Sequence, residues 1–134
     1  MVTAFFDTSA IVPLILREPH SQAARTAWET AEECFAWKWL KVETEAALVR
    51  RKAPAAAWQL WRTIEASMSW VEPEGDWIEP LKTFNRGVGL RAADAGHLFV
   101  MEHCAAGLEN LVLVTFDSEM IMAAQRRGLA LFTQ

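Results

Sequence analysis

The amino-acid sequence predicts an α/β fold in which a parallel β-sheet is covered on both faces by helices. Two observations lead to this prediction. Short, wholly apolar segments alternate along the chain with longer segments of helical character. Strands that are apolar throughout are typical of parallel sheets buried between helices. The segments that we interpret as strands are 2–6, 34–37, 70–71, 111–115 and 129–132.

Capping and breaking residues delimit the helices. Thr8 and Ser9 follow the first strand and are suitable N-caps, and Pro13 lies near the first turn of the helix that they begin. Gly128 ends the last helix before the final strand. The predicted helices cover residues 9–17, 21–33, 38–52, 54–69, 77–86, 91–106 and 118–127.

The composition fits a single domain spanning residues 1–134 and limits the classes of function. An apolar content of 52% supports one core and argues against disorder. A net charge of −4 gives no overall attraction to nucleic acids or anionic membranes, although local patches can oppose it. Cys34 and Cys104 lie far apart, which favours a reduced, cytoplasmic protein. We expect no membrane span and no signal peptide, since no apolar segment is long enough and none follows a basic region.

Two aspartates occupy equivalent positions at the ends of predicted strands. Asp7 directly follows the strand 2–6, and Asp117 comes just after the strand 111–115. Ligands in open α/β sheets bind beyond the carboxyl ends of the strands, so a parallel sheet would bring both carboxylates to one edge. Each aspartate could instead serve only as a helix N-cap.

Two further acids lie in apolar helical segments. Glu43 lies beside the helix face that carries Leu40 and Ala47, and Asp94 lies in the first turn of its helix. Glu43 could alternatively pair with a nearby cation, and Asp94 could simply favour the helix dipole. Several converging carboxylates repel one another unless a cation neutralises them. Oxygen ligands without His or Cys suit Mg²⁺ or Mn²⁺.

Around these acids the chain resembles the PIN-domain ribonucleases, and among them the VapC-type toxins of toxin–antitoxin pairs. The matching stretches are FFDTSAIVPLILREP from residue 5, VETEAALVRR from residue 42, GLRAADAGHLFVM from residue 89 and LVTFDSEMIMAAQRRGLALF from residue 113. In this order they cover nearly the whole chain. The resemblance implies a three-layer sandwich with a parallel sheet of about five strands flanked by helices.

The resemblance also implies a function and a set of site residues. It implies an enzyme that hydrolyses RNA phosphodiester bonds with Mg²⁺ or Mn²⁺, forms a homodimer and is inhibited by a small antitoxin protein. Thr115 matches a hydroxyl residue that often precedes the last acid, and we treat it as a candidate substrate contact. Asp7, Asp94 and Asp117 are the implied metal ligands. The implied catalytic acids are Asp7, Glu43, Asp94 and Asp117.

Cations near the acids are candidate contacts for RNA phosphates. Lys and Arg outnumber acids between residues 38 and 62, and Arg50 lies in this segment. Arg91 lies just before Asp94. Phosphate contacts by such side chains supply most of the affinity for nucleic acids. The basic segment could instead be a solvated face or bind an acidic partner, and Arg91 could pair with a neighbouring acid.

Other residues near the motifs have a simpler interpretation. Trp58 and Trp61 lie three residues apart on one helix, which predicts a core or interface pair more readily than a base-stacking platform. His97 lies one turn after Asp94, and we interpret it as a packed histidine rather than a ligand.

The chain departs from the family pattern at two places, and two other functions compete. Family members often have a large aliphatic residue where Gly96 stands, and a Ser or Thr near Trp37. An aspartate-nucleophile phosphatase would need a second acid two residues after Asp7, where this chain has Ser9. The alternative that remains is an inactive PIN-like module that acts through protein–protein contacts.

Overall fold

The computed structural model describes residues 2–133, and its helices and strands alternate as the sequence predicts. In chain order they are β1 (Val2–Phe6), α1 (Thr8–Ile15), α2 (Ser21–Thr30), β2 (Ala31–Trp37), α3 (Leu40–Arg50), α4 (Ala55–Ser67), β3 (Ser69–Val71), α5 (Ile78–Val88), α6 (Ala92–Ala105), β4 (Leu111–Val114) and α7 (Ser118–Arg126).

The sheet is parallel, which confirms the predicted fold class. Its strand order is β3–β2–β1–β4, and every adjacent pair runs in the same direction. β1 pairs with β4 although most of the chain lies between them, and Phe6 stands opposite Val114. The carboxyl ends of the two strands therefore meet at one edge of the sheet.

The predicted fifth strand, residues 129–132, is reduced to one parallel bridge between Leu113 and Leu131. The Leu113 N–H donates to the Ala130 carbonyl, and the Phe132 N–H donates to the Leu113 carbonyl. Only Leu113 of β4 forms these bonds, so the segment runs beside the free edge of β4 without extending into a regular strand. The sheet thus has four strands within residues 2–133, against the five that were predicted.

The predicted helix 21–33 is wrong at its end, because residues 31–33 belong to β2. Thr30 ends α2, and β2 begins at Ala31, which stands opposite Val2 of β1. Glu33 also pairs with β1, beside Thr3. Pairing with a neighbouring strand decides this segment against its helical pattern, because strand preference depends on context more than helix preference does.

Alternate side chains of β1 enter different cores, as the period of a β-strand requires. Ala4 and Phe6 pack with apolar residues of α1 to α4 on one face. Phe5 packs with residues of α6 and α7 on the other. This arrangement is a three-layer sandwich, as predicted.

Several smaller predictions can also be compared with the structure. Cys34 and Cys104 are both free, as expected for a reduced protein. Trp61 is fully buried and Trp58 packs against the same core, so the pair belongs to the interior. The Trp61 indole donates to Glu45 at 3.0 Å. Among residues 2–133, no helix is both long and apolar enough to cross a bilayer.

Candidate functional site

The parallel pairing of β1 with β4 brings the two strand-end segments together. Asp7 directly follows β1, and its backbone N–H donates to the Val114 carbonyl at 3.2 Å. Thr115 and Asp117 follow β4, so both lie at the same carboxyl edge of the sheet as Asp7. This is the edge at which α/β proteins bind their ligands.

Asp7 is a buried carboxylate held by two hydroxyl groups. Its side chain is 2% exposed. Ser9 Oγ donates to Oδ1 and Thr115 Oγ1 donates to Oδ2, each at 2.6 Å. Burial raises the pKa of Asp7, although His97 and the two hydroxyl groups lower it, and nearby Asp94 raises it further. Asp7 occupies the N-cap position of α1, but its side chain makes no capping bond there. The helix-cap alternative therefore does not explain this residue.

Ser9 and Thr115 join the two strand ends and orient Asp7. Ser9 Oγ accepts the Phe116 N–H at 2.9 Å, and Thr115 Oγ1 accepts the Asp117 N–H at 3.2 Å. Thr115 is only 7% exposed. We therefore interpret Thr115 as a positioning residue, while the substrate contact that the resemblance implies stays a prediction. Ser9 was not predicted to be a site residue, although the DTS sequence after β1 was a usable signal.

Glu43 is held by a histidine and a threonine from two other helices. Its Oε1 lies 2.5 Å from His97 Nε2 of α6, and Thr8 Oγ1 donates to the same oxygen at 2.8 Å. Burial opposes the ionised form, but the hydrogen bond and charge of His97 and the bond from Thr8 outweigh it, so the pKa of Glu43 lies below its usual value. Glu43 does not need a lysine or arginine partner, and none pairs with it among the described residues.

His97 is packed as predicted, but it also has a specific role toward Glu43. Its side chain is 1% exposed, and its ring stands edge-on to Trp37 at a centroid distance of 5.2 Å. Nε2 faces Glu43, whereas Nδ1 has no hydrogen-bond partner among residues 2–133. A histidine packed in this way fixes the position of the carboxylate that it contacts. Sequence spacing related His97 to Asp94 and gave no sign of Glu43.

Asp94 lies within electrostatic reach of the other acids. Burial is the main cause that raises its pKa, followed by the charges of Asp117 and Glu43. His97 and Arg91 lower it, but less than the raising influences combined. Since Asp94 also raises the pKa of Asp7, the four predicted acids share one region in which His97 and Arg91 compensate only part of the negative charge.

Asp117 has a capping role as well as its place among the acids. Its Oδ1 accepts the Met120 N–H at 2.9 Å at the start of α7. The helix-cap alternative is therefore correct for one oxygen of Asp117. A carboxylate has two oxygens and about four lone pairs, so this bond leaves the second oxygen available.

A divalent cation fits the chemistry of this donor set. No three His, Cys, Asp or Glu residues within 2–133 are close enough to hold an ion jointly in this arrangement. Mg²⁺, however, usually keeps several waters and binds through only one or two carboxylates. The raised pKa values of Asp7 and Asp94 show that negative charge is costly here. A cation would remove that cost.

The predicted phosphate contacts differ in their surroundings. Arg91 occupies the N-cap position of α6 and is exposed, and its charge reaches Asp94. Arg50 is exposed in the last turn of α3 and forms no ion pair among residues 2–133. It lies two turns from Glu43, roughly 10 Å along the helix axis. Both stay predictions as RNA contacts.

Part of the basic segment is neutralised by ion pairs. Lys41 pairs with Glu65, and Arg51 pairs with Glu18. Two cations of the predicted excess are therefore partly compensated. The phosphate attraction that we predicted for this segment rests mainly on the remaining Lys and Arg.

Comparisons with known proteins agree with this architecture. The family model described as the PIN domain matches residues 4–128. Among solved structures, VapC20 of Mycobacterium tuberculosis, described as a sarcin-ricin-loop-cleaving toxin, has a TM-score of 0.75 at 18% identity and covers 98% of this chain and 100% of its own. PAE2754 of Pyrobaculum aerophilum has a TM-score of 0.65 at 23% identity, with coverages of 91% and 84%. FitAcB of Neisseria gonorrhoeae has a TM-score of 0.64 at 15% identity, with coverages of 98% and 97%. A comparison with curated proteins gave no significant match.

Proposed function

Because this chain belongs to the PIN-domain family, we propose that it is a ribonuclease that hydrolyses RNA phosphodiester bonds with Mg²⁺ or Mn²⁺. The observation that carries the proposal is the group of four acids at the carboxyl edge of the sheet, in which buried Asp7 and half-buried Asp94 each have a raised pKa. A structural role in a folded core does not require mutually repelling carboxylates.

Each acid has a role that follows from its surroundings. Asp7, Asp94 and Asp117 would hold the cation directly or through its coordinated waters, with Asp7 kept in place by the hydroxyl groups of Ser9 and Thr115. Glu43, fixed by His97 at 2.5 Å, would complete or orient the coordination shell. When bound, such a cation would lower the pKa of a coordinated water and would stabilise charge on the phosphate.

The substrate and partners of the proposed enzyme rest on fold similarity and on the resemblance of the motifs. The similarity to VapC20, a toxin that cleaves the sarcin-ricin loop, supports an RNA substrate and a toxin role. We propose in addition a homodimer and a small inhibitory antitoxin. An RNA-directed toxin would act in the cytoplasm, where the free Cys34 and Cys104 stay reduced.

The test is cleavage of a mixed RNA pool by the purified protein with Mn²⁺, with Mg²⁺ and with EDTA. Asp94→Asn is the decisive variant, and Asp76→Asn is the matched control, because Asp76 is exposed and its side chain accepts the Ile78 N–H and no other hydrogen bond within residues 2–133. We expect cleavage that needs the metal, is lost in Asp94→Asn and persists in Asp76→Asn. Full cleavage by Asp94→Asn or in EDTA would refute the assignment.

The competing function, an inactive binding module, predicts a different result. Such a module would leave the RNA pool intact under every metal condition and would show no rise in melting temperature with Mn²⁺. Co-expression with the product of an adjoining small open reading frame tests the antitoxin proposal, since an antitoxin should co-purify and suppress cleavage. Light scattering on the purified protein tests the homodimer.

A further inference from the structure

An apolar cleft opens beside the acids. Its walls enclose a cavity of about 360 Å³ and consist of apolar residues only, and we call it the tryptophan cleft. Its lining residues are Trp37, Trp39, Trp77, Leu81, Ala92 and Ala93. A second cavity of about 270 Å³ adjoins it and shares the three tryptophans. Large apolar residues that are left open to solvent on a small protein usually mark a binding surface.

The three indole rings form the floor and two sides of the cleft. Trp37 is 5% exposed, whereas Trp39 is 46% exposed. The Trp37 ring centroid lies 6.3 Å from that of Trp39, at a tilt of 35°, and 5.8 Å from that of Trp77, at 86°. Trp37 is therefore the floor, and the rings of Trp39 and Trp77 are held beside it at different angles.

The position of the Trp37 ring depends on Gly96. The chain departs from the family pattern at Gly96 and near Trp37, and the contact between these two residues links the departures. A Cβ atom at position 96 would lie 2.5 Å from Cη2 of Trp37 and nearer still to Cζ3. Any larger residue at this position would therefore collide with the indole. The small residue on α6 and the tryptophan at the end of β2 form one unit that builds the cleft.

The cleft is continuous with the acidic site through short stretches of chain. Ala93 lines the cleft and directly precedes Asp94. The Trp39 carbonyl accepts the Glu43 N–H at 3.3 Å at the start of α3. Trp37 also packs against His97, the partner of Glu43. A substrate whose phosphate lies at the acids therefore has its adjoining nucleotide within reach of the cleft.

We infer that the tryptophan cleft binds an unpaired base of the RNA substrate beside the phosphate to be cleaved. The inference rests on the proposed function for its choice of ligand. Tryptophan faces stack on bases of any sequence. Lys38 lines the adjoining cavity, and Arg91 directly precedes Ala92 of the cleft. Neither forms an ion pair within residues 2–133, so both are available to the phosphates that flank the base.

Charge favours RNA over an apolar protein segment as the occupant. Glu72 lines the adjoining cavity together with Lys38, whereas no charged residue of the described part of the chain lines the tryptophan cleft itself. Two cations nevertheless adjoin cleft residues in the chain, since Lys38 stands between Trp37 and Trp39 and Arg91 directly precedes Ala92. A polyanion in the cleft would therefore meet positive charge close to the acids, because the charge of Arg91 also reaches Asp94.

The test measures binding of a labelled 12-nucleotide single-stranded RNA in EDTA, beside an abasic strand of the same length. The variants are Trp39→Ala and Trp39→Phe, with Leu60→Ala as the control, because Leu60 is 42% exposed on α4 and lies outside the cleft. Stacking of one base is worth ~1–3 kcal/mol, so Trp39→Ala should raise the Kd for the base-containing strand about 5-fold to 150-fold. Trp39→Phe should recover most of this loss, and Leu60→Ala should behave as the unchanged protein.

The outcomes separate this inference from the proposed function. Equal losses on both strands, or no loss in Trp39→Ala, would overturn the inference. A change of oligomeric state in Trp39→Ala with unchanged RNA binding would also overturn it and assign the cleft to a protein interface. Cleavage of the same strand is measured separately with Mn²⁺. Binding that depends on Trp39 without any cleavage would support the cleft and refute the nuclease.

Discussion

Gly96→Ala tests the packing on which the tryptophan cleft depends. The new methyl carbon would lie 2.5 Å from Cη2 of Trp37, whereas carbon atoms in contact normally stay about 3.5–4.0 Å apart. The overlap is therefore at least about 1 Å. Trp37 is 5% exposed and its ring is packed against His97 and Trp77, so it cannot move without disturbing both.

Two opposing effects set the expected magnitude. Overpacking costs ~1–3 kcal/mol, and an overlap with a packed indole ring puts this substitution in the upper part of that range, ~2–3 kcal/mol. Alanine in place of glycine in a helix interior returns up to ~1 kcal/mol. We expect Gly96→Ala to lower the free energy of unfolding by about 1–2 kcal/mol net. For a domain of this size the melting temperature should fall by roughly 3–5 °C per kcal/mol.

The assay is urea unfolding followed by far-ultraviolet circular dichroism, in two backgrounds. In Trp37→Leu the shorter side chain removes the colliding ring, so Gly96→Ala should there stabilise the protein through helix preference alone. The expected result is a change of sign between the two backgrounds, which a double-mutant cycle measures directly. A neutral or stabilising Gly96→Ala in the unchanged protein would refute the reasoning.

Three further predictions concern the acids. Asp94→Asn should raise the melting temperature of the metal-free protein at neutral pH, because the raised pKa of Asp94 makes its ionised form unfavourable in the folded state. The gain should vanish below pH 3.8, the usual pKa of the group, where the carboxyl is protonated in both the folded and the unfolded chain. Calorimetry in EDTA measures this, and a variant that melts at a lower temperature would contradict it. Thr115→Val removes a bond to Asp7 and should weaken Mn²⁺ binding about 10-fold to 100-fold by titration, as loss of an orienting partner does; unchanged affinity would exclude the positioning role. His97→Gln should raise the pKa of Glu43, which an NMR titration of the side-chain carboxyl measures. Because the pKa of Glu43 is lowered on folding, its ionised form stabilises the protein above pH 4.5, and this stabilisation declines as the pH falls below that value. A His97→Gln variant with the same pH dependence of stability would show that His97 is not its cause.

The position of the site could be predicted from the sequence because it depends on local pattern. Asp7 and Asp117 follow apolar strands, and the alternation of strands with helices indicates a parallel sheet. A parallel sheet brings the carboxyl ends of its strands to one edge wherever the strands lie along the chain. The sequence therefore predicts this edge without any knowledge of which strands are neighbours.

The partners of each acid could not be predicted, because they come from distant segments. Ser9 and Thr115 meet at Asp7 only through the β1–β4 pairing. Glu43 meets His97 only because α3 and α6 approach each other beyond the end of the sheet. The spacing of residues in one sequence indicates which side chains are neighbours one helical turn apart. It does not indicate contacts between residues that are distant in the chain.

The sequence by itself determined the fold class, the buried strands and the position of Asp7 and Asp117 at one edge, since these follow from hydrophobic period and from the parallel order of the strands. The tertiary structure decided the strand limits, including the loss of residues 31–33 from α2 and the single bridge at Leu131. It also decided that Gly96 and Trp37 form one packed unit. The physical reason is that sheet pairing and side-chain packing join residues far apart in the chain, and their free energies outweigh local preference.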